Sequence, residues 1–330
     1  MLFQLPPLSD SFKEKYRDTL LPDLRDRIIN SAGSNKLSKI AKNLLIPNFG
    51  SPNEDLSNLE LLLTGRPKES KDLSDRLFTA MTKGIKNKNS LRKKLERVFD
   101  YANVISKNKK NSYWIAVNIQ RNTCTYCNRL YVHSVERLHK AHGTKERYVT
   151  RPEFDHWFTK SKHPLLSLNI HNLIPSCKIC NSAVKTTADG DFKKHIHPYI
   201  KENFDFTFRA YLTPIDFKWG LKIIRPAGSK IDNTIRDFAT EELYASHGEL
   251  EVKDIMEFAQ AYPEGYLRDI LINKDGKRQP HISQEQAYRM LFGTEYERDR
   301  FLDRPLSKLK HDILTQIKVI SPSSSALIIP

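Results

Sequence analysis

The chain has 330 residues, a formal net charge of +15 at pH 7, a pI near 9.5 and a mean hydropathy of −0.56. It is long enough for two or three modest domains with real cores. It shows no apolar run of about 18 residues and no charged-then-apolar leader at Met1, so neither a membrane span nor a secretory signal is expected. Polyanions are the natural partners of so large an excess of Lys and Arg.

In chain order, residues 1–112 read as a helical N-terminal region, interrupted by loops at 47–53 and 65–67. Ser90 is a good N-cap for a helix that puts Leu91, Leu95, Val98, Phe99, Ala102 and Ile105 on one face. Between residues 81 and 112, ten Lys or Arg side chains stand against Glu96 and Asp100, a local excess of eight. That is over half of the surplus charge, and it reads either as a solvated helix face or as a nucleic-acid contact.

The four cysteines follow as two Cys-x-x-Cys pairs, Cys124/Cys127 and Cys177/Cys180, separated by 49 residues. Two residues between paired cysteines let both thiolates reach one zinc from a tight turn, and two such knuckles complete a tetrahedral four-thiolate site. Two disulfides, a redox pair or four unrelated buried thiols are the alternatives. The matched pairs, with no cysteine left over, favour structural zinc, and reduced metal-binding cysteines suit a cytoplasmic setting.

Between the pairs lie Asp155-His156, the step Asn172-Leu173 and, directly after the last cysteine, Asn181, with Lys185 close behind. In this the chain resembles the HNH nuclease family of the ββα-metal fold, whose motif runs Asp-His, Asn-Leu, then Cys-x-x-Cys-Asn with a basic residue shortly after. The resemblance covers about sixty residues, 124–185. It implies His156 as general base, an imidazole being suited to accept the proton of an attacking water. It implies Asp155 and Asn181 as ligands of a catalytic Mg2+ or Mn2+, which would stabilise charge on the departing oxygen. Asn172 would bridge the loop between the two strands and orient His156. His195 and His197 are alternative second ligands, although their spacing also suits a strand leading away from the site. Lys160, Lys162 and Lys185 are candidate phosphate contacts. His163 and His171 read as loop histidines, and Trp157 and Phe158 as packing residues.

The expected fold is α+β: a mainly helical chain around a zinc-stapled ββα unit at 113–200, followed by a β-hairpin and helices at 201–330. A strand is expected over 148–154, a loop near 173–175 and a helix from about Asn181. Residues 204–212 alternate with period two, and 217–224 is a second strand candidate. Ile235, Phe238 and Leu243, then Ile255, Phe258 and Ala259, mark amphipathic helices. A mobile tail is expected from 321–325.

The flanks, including His195-Ile-His-Pro-Tyr199 and Arg304-Pro-Leu-Ser-Lys-Leu-Lys-His-Asp312, resemble, more weakly, longer HNH proteins of bacterial anti-phage systems, notably the Septu-type nuclease subunit, which implies an ATPase partner docked on the helical regions. The expectation is a metal-dependent endonuclease serving defence. A stand-alone restriction-type DNase and a catalytically inactive zinc-stabilised binding module are the alternatives. DNA or RNA substrate and a homo-oligomeric state stay open.

Overall fold

A computed structural model describes residues 4–137, 148–185, 189–202, 205–261 and 283–319. Segments 262–282 and 320–330, including the expected tail, lie outside the described residues.

The N-terminal third is a stack of helices: α1 (Asp10–Ile29), α2 (Lys39–Leu45), α3 (Ser57–Thr64), α4 (Pro67–Met81), α5 (Lys88–Phe99) and α6 (Lys109–Ile119). Helix α1 buries Phe12, Tyr16, Leu20, Leu24 and Ile28, a strict four-residue stripe that packs on α3 and α5. Helix α4 opens with Pro67 at its first position, where the missing N–H costs nothing. The interior of α5 is the expected stripe Leu91, Leu95, Val98 and Phe99, but its cap is Asn87, whose side chain accepts from Ser90 N at 3.0 Å. Ser90 therefore lies inside the first turn. The helix stops at Asp100, whose φ of 20° breaks the repeat, so Ala102 and Ile105 belong to a separate π-helical turn, Ala102–Ser106. Helix α6 runs through residue 112, so the chain has no structural break at the expected boundary.

Three antiparallel pairs follow among the described residues. Strands β1 (Val135–Glu136) and β2 (Tyr148–Thr150) form the first, and β3 (Glu153–His156) and β4 (Leu173–Ser176) the second. The expected single strand over 148–154 is split at Arg151-Pro152, since proline has no N–H for a ladder. In the second pair Asp155 faces Ile174 and His156 faces Leu173. The helix expected from Asn181 is a short π-helical turn, Cys180–Val184. Residues 189–202 form turns rather than the strand considered for His195 and His197.

Strands β5 (Thr207–Leu212) and β6 (Trp219–Ile224) make the appended hairpin, shorter at both starts than the alternation suggested. Phe217, with φ of 51°, belongs to its turn. Helices α7 (Lys230–Asp237), α8 (Thr240–Ala245), α9 (Lys253–Ala261), α10 (Gln284–Phe292) and α11 (Ser307–Gln316) complete the chain, with α11 on β5 and α8 on β6. Buried apolar residues from Leu5 to Leu314 form a continuous core. The architecture is α+β, and no helix among the described residues is long and apolar enough to cross a membrane.

Candidate metal centre and acid–histidine site

The two cysteine knuckles meet although 49 residues separate them. All four sulfurs are buried and lie within 4.8 Å of one another, and none is in a disulfide. Backbone N–H groups already point at three of them: Cys177 N at Cys124 Sγ (3.2 Å), Arg129 N at Cys127 Sγ (3.4 Å) and Cys180 N at Cys177 Sγ (3.4 Å). Such donors stabilise thiolate charge. Four thiols this close cannot all ionise without a cation between them: the hydrogen bonds within the cluster that hold the Cys177 thiol down push the Cys180 thiol up. The donor set fits a structural zinc held by Cys124, Cys127, Cys177 and Cys180.

The first knuckle is also wired to the rest of the molecule. Thr123 Oγ1 donates to Leu302 O (2.7 Å), and Asn128 Nδ2 donates to Phe301 O (2.8 Å) and Arg304 O (3.0 Å). Leu306 N donates to Asn128 O (2.7 Å), and the buried Tyr244 hydroxyl donates to Cys127 O.

From the β3–β4 pair, Asp155 and His156 point to opposite faces, as adjacent strand residues must. His156 is 9 % exposed, and its Nε2 lies 3.0 Å from Ser167 O. A carbonyl can only accept, so Nε2 carries the proton and Nδ1 keeps the lone pair. The Tyr101 ring meets the imidazole edge-on at 4.4 Å. Burial lowers the pKa of His156 to about 4 against the opposing pull of the Ser167 bond, which makes it a neutral base at pH 7.

Ser167 is placed by the loop between the strands, and Asn172 is the brace of that loop. Its Oδ1 accepts from Phe158 N (2.7 Å), and its Nδ2 donates to Phe158 O (3.1 Å) and Leu166 O (2.9 Å). The helical layer pins the same loop from behind. Tyr16 Oη donates to Leu168 O (2.7 Å), Asn169 Nδ2 to Leu62 O (3.0 Å), and His171 Nδ1 to Gly65 O (2.9 Å).

Asp155 faces a different set of partners. Its Oδ2 accepts from the Tyr126 hydroxyl, which lies between the two cysteines of the first knuckle, and from Lys185 Nζ. Lys185 is 4 % exposed and also donates to the carbonyls of His156 and Trp157. This corrects the expectation of Lys185 as a phosphate contact: its ammonium is turned inward and consumed by the protein's own oxygens. Asn181 Nδ2 donates to Glu153 Oε2 (2.7 Å), one rung along β3 from Asp155. Asn181 and Lys185 are four residues apart, Glu153 and Asp155 two apart, so the helical turn crosses the strand through two polar rungs. Chemically, the Asp155 carboxylate offers hard oxygens of the type that small divalent ions select, and Asn181 engages Glu153 through its amide nitrogen, not through its oxygen.

The remaining candidates separate cleanly. Lys160 is exposed, with Nζ 5.9 Å from the centre of the Tyr101 ring, beside the His156 face. Lys162 is exposed and 3.5 Å from Asp189, which also accepts from His163. His195 Nε2 pairs with Asp237 at 2.9 Å, and His197 is buried among Trp157, Phe192 and Tyr199, so each has partners of its own away from Asp155. Trp157 and Phe158 are core residues. Tyr126, Tyr101, Glu153 and Ser167 went unnoticed in the sequence. For Tyr126 alone a signal existed, because it sits inside Cys-Thr-Tyr-Cys, where any side chain is fixed close to the metal.

The basic segment lies against this site. Helix α5 packs on the turn Pro164–Leu166 of the braced loop, and Lys83, Lys86, Lys88, Lys93, Lys107 and Lys110 are exposed.

Fold and site together define an α+β protein in which a cluster of four buried cysteines, placed to hold a metal ion, stands beside a buried Asp–His strand pair. The chain matches no family model, no curated protein and no solved structure.

Proposed function

We propose that the protein is an HNH-type endonuclease that hydrolyses phosphodiester bonds of nucleic acid. The observation that carries this reading is the neutral His156, its Nε2–H fixed on Ser167 O by a loop that Asn172 braces, adjacent to Asp155 within a four-cysteine frame. His156 Nδ1 accepts the proton of the attacking water, and the Ser167 carbonyl stabilises the imidazolium that results. The exposed Lys160 on that face attracts the phosphate, and the lysines of α5 hold the flanking backbone. A divalent ion at Asp155 would supply electrostatic stabilisation of the leaving oxygen.

The test is cleavage of plasmid DNA, single-stranded DNA and tRNA by the purified protein with Mg2+ or Mn2+. Wild type should cut and His156→Ala should lose at least about a hundredfold in rate with its zinc retained. Equal cutting by both proteins would refute the assignment. A nuclease effector of anti-phage defence under an ATPase partner, working in the cytoplasm, extends the reading. It is tested by co-purification of an ATPase from an intact operon. A second reading, a zinc-stapled binding module without catalysis, draws on the Lys185–Asp155 pair, and nucleic-acid retention without cleavage would favour it.

A further inference from the structure

Lys185 follows directly on the turn that begins at the cysteine ligand Cys180, yet its side chain runs inward. The ammonium meets Asp155 Oδ2, His156 O and Trp157 O, the last at 3.2 Å. Three oxygens, one of them a carboxylate, thus converge on one cation. They are held firmly: His156 is paired with Leu173, Trp157 N donates to Asn172 O at 3.0 Å, and Tyr126 donates to the same carboxylate oxygen as Lys185. This is a cage of hard donors, the type that a small divalent ion selects. A buried ammonium persists only where such contacts offset its lost hydration. A divalent ion and an ammonium a few ångströms apart repel strongly, so the cage holds one or the other.

We infer that Lys185 is the resident counter-cation of Asp155, an autoinhibitory contact that a divalent ion must displace before it can occupy the site. The inference rests on the proposed reading of Asp155 as a cation ligand, and it adds control to that reading: metal affinity is set by how readily Lys185 leaves.

The experiment is a titration of the zinc-loaded, full-length protein with Mn2+, following free Mn2+ by electron paramagnetic resonance. Lys185→Met and Lys185→Gln should each bind one Mn2+ at least about tenfold more tightly than wild type. Adding Asp155→Asn to either variant should abolish the gain. Unchanged affinity, or a gain that survives Asp155→Asn, overturns the inference. If both neutral variants fail to fold by circular dichroism and zinc content, wild type supplies the answer. Its slowly exchanging Lys185 15Nζ resonance, assigned with Lys185→Arg, should shift or disappear as Mg2+ is added, and a resonance indifferent to Mg2+ is the contrary result. No cleavage enters either readout, so failure here is distinguishable from failure of the nuclease reading, which His156→Ala tests separately.

Discussion

Replacing Asn172 by alanine removes three buried hydrogen bonds at once while leaving every zinc ligand in place. The Phe158 N–H loses its acceptor, at about 1–3 kcal/mol, and the carbonyls of Phe158 and Leu166 each lose a donor, at roughly 0.5–1.5 kcal/mol. The expected loss is about 4 kcal/mol, a large share of the roughly 5–15 kcal/mol of an ordinary domain. Urea denaturation with zinc present measures it as a lowered midpoint at unchanged slope. Asn172→Asp keeps the shape but offers carboxylate oxygens to two carbonyls. It should be the worse variant at pH 8 and should recover toward pH 5. The sign follows from linkage: a carboxyl driven to stay neutral has a raised folded pKa, so its stability is present at low pH and lost as pH rises. Because Leu166 precedes Ser167, both variants should also release the His156 ring and depress any cleavage beyond the stability loss. A loss below about 1 kcal/mol for Asn172→Ala would refute the bracing role.

Cys177→Ser should lose zinc and soluble yield together, since structural zinc is coupled to folding by on the order of 10 kcal/mol, and colorimetric zinc release beside circular dichroism checks it. Gly190→Ala should cost about 1–3 kcal/mol by overpacking, because a Cβ there would stand 2.2 Å from the Trp157 ring; thermal unfolding reports it. His171 is kept neutral by burial, its pKa lowered to about 4. The unfolded chain takes up that proton near pH 6.5 and the folded chain does not, so stability is full above 6.5 and falls by about 3 kcal/mol as pH drops toward 4. Urea midpoints across that range should show a shallower slope in His171→Gln.

The helix stripe of α5 was legible because 3.6-residue periodicity states which face is buried, and the cysteine pairs because thiolate spacing is set by the metal. The cap of α5 was misplaced by one turn because Asn87 and Ser90 are both good caps and only the backbone decides between them. Lys185 was unreadable for a deeper reason. A lysine looks the same in sequence whether its ammonium meets water or three protein oxygens, and those oxygens lie 28 to 30 positions earlier, at the end of β3 and just beyond it. Tyr126 donates to the same carboxylate across 29 positions, a contact that no local pattern encodes.

The bonds from the first cysteine knuckle to the distal chain bear on the order of events in the making of the molecule. Asn128 and its partner Phe301 are 173 positions apart. At ordinary synthesis rates of about 5–20 residues per second, the interval between their emergence is roughly ten to thirty seconds. For most of that time, from the emergence of Cys180 onward, both cysteine pairs are available to zinc, while the knuckle still lacks its distal carbonyl acceptors. A zinc taken up by the nascent chain would therefore sit on a knuckle whose bonds to residues 301–306 are still to form, and those bonds close only when that segment arrives.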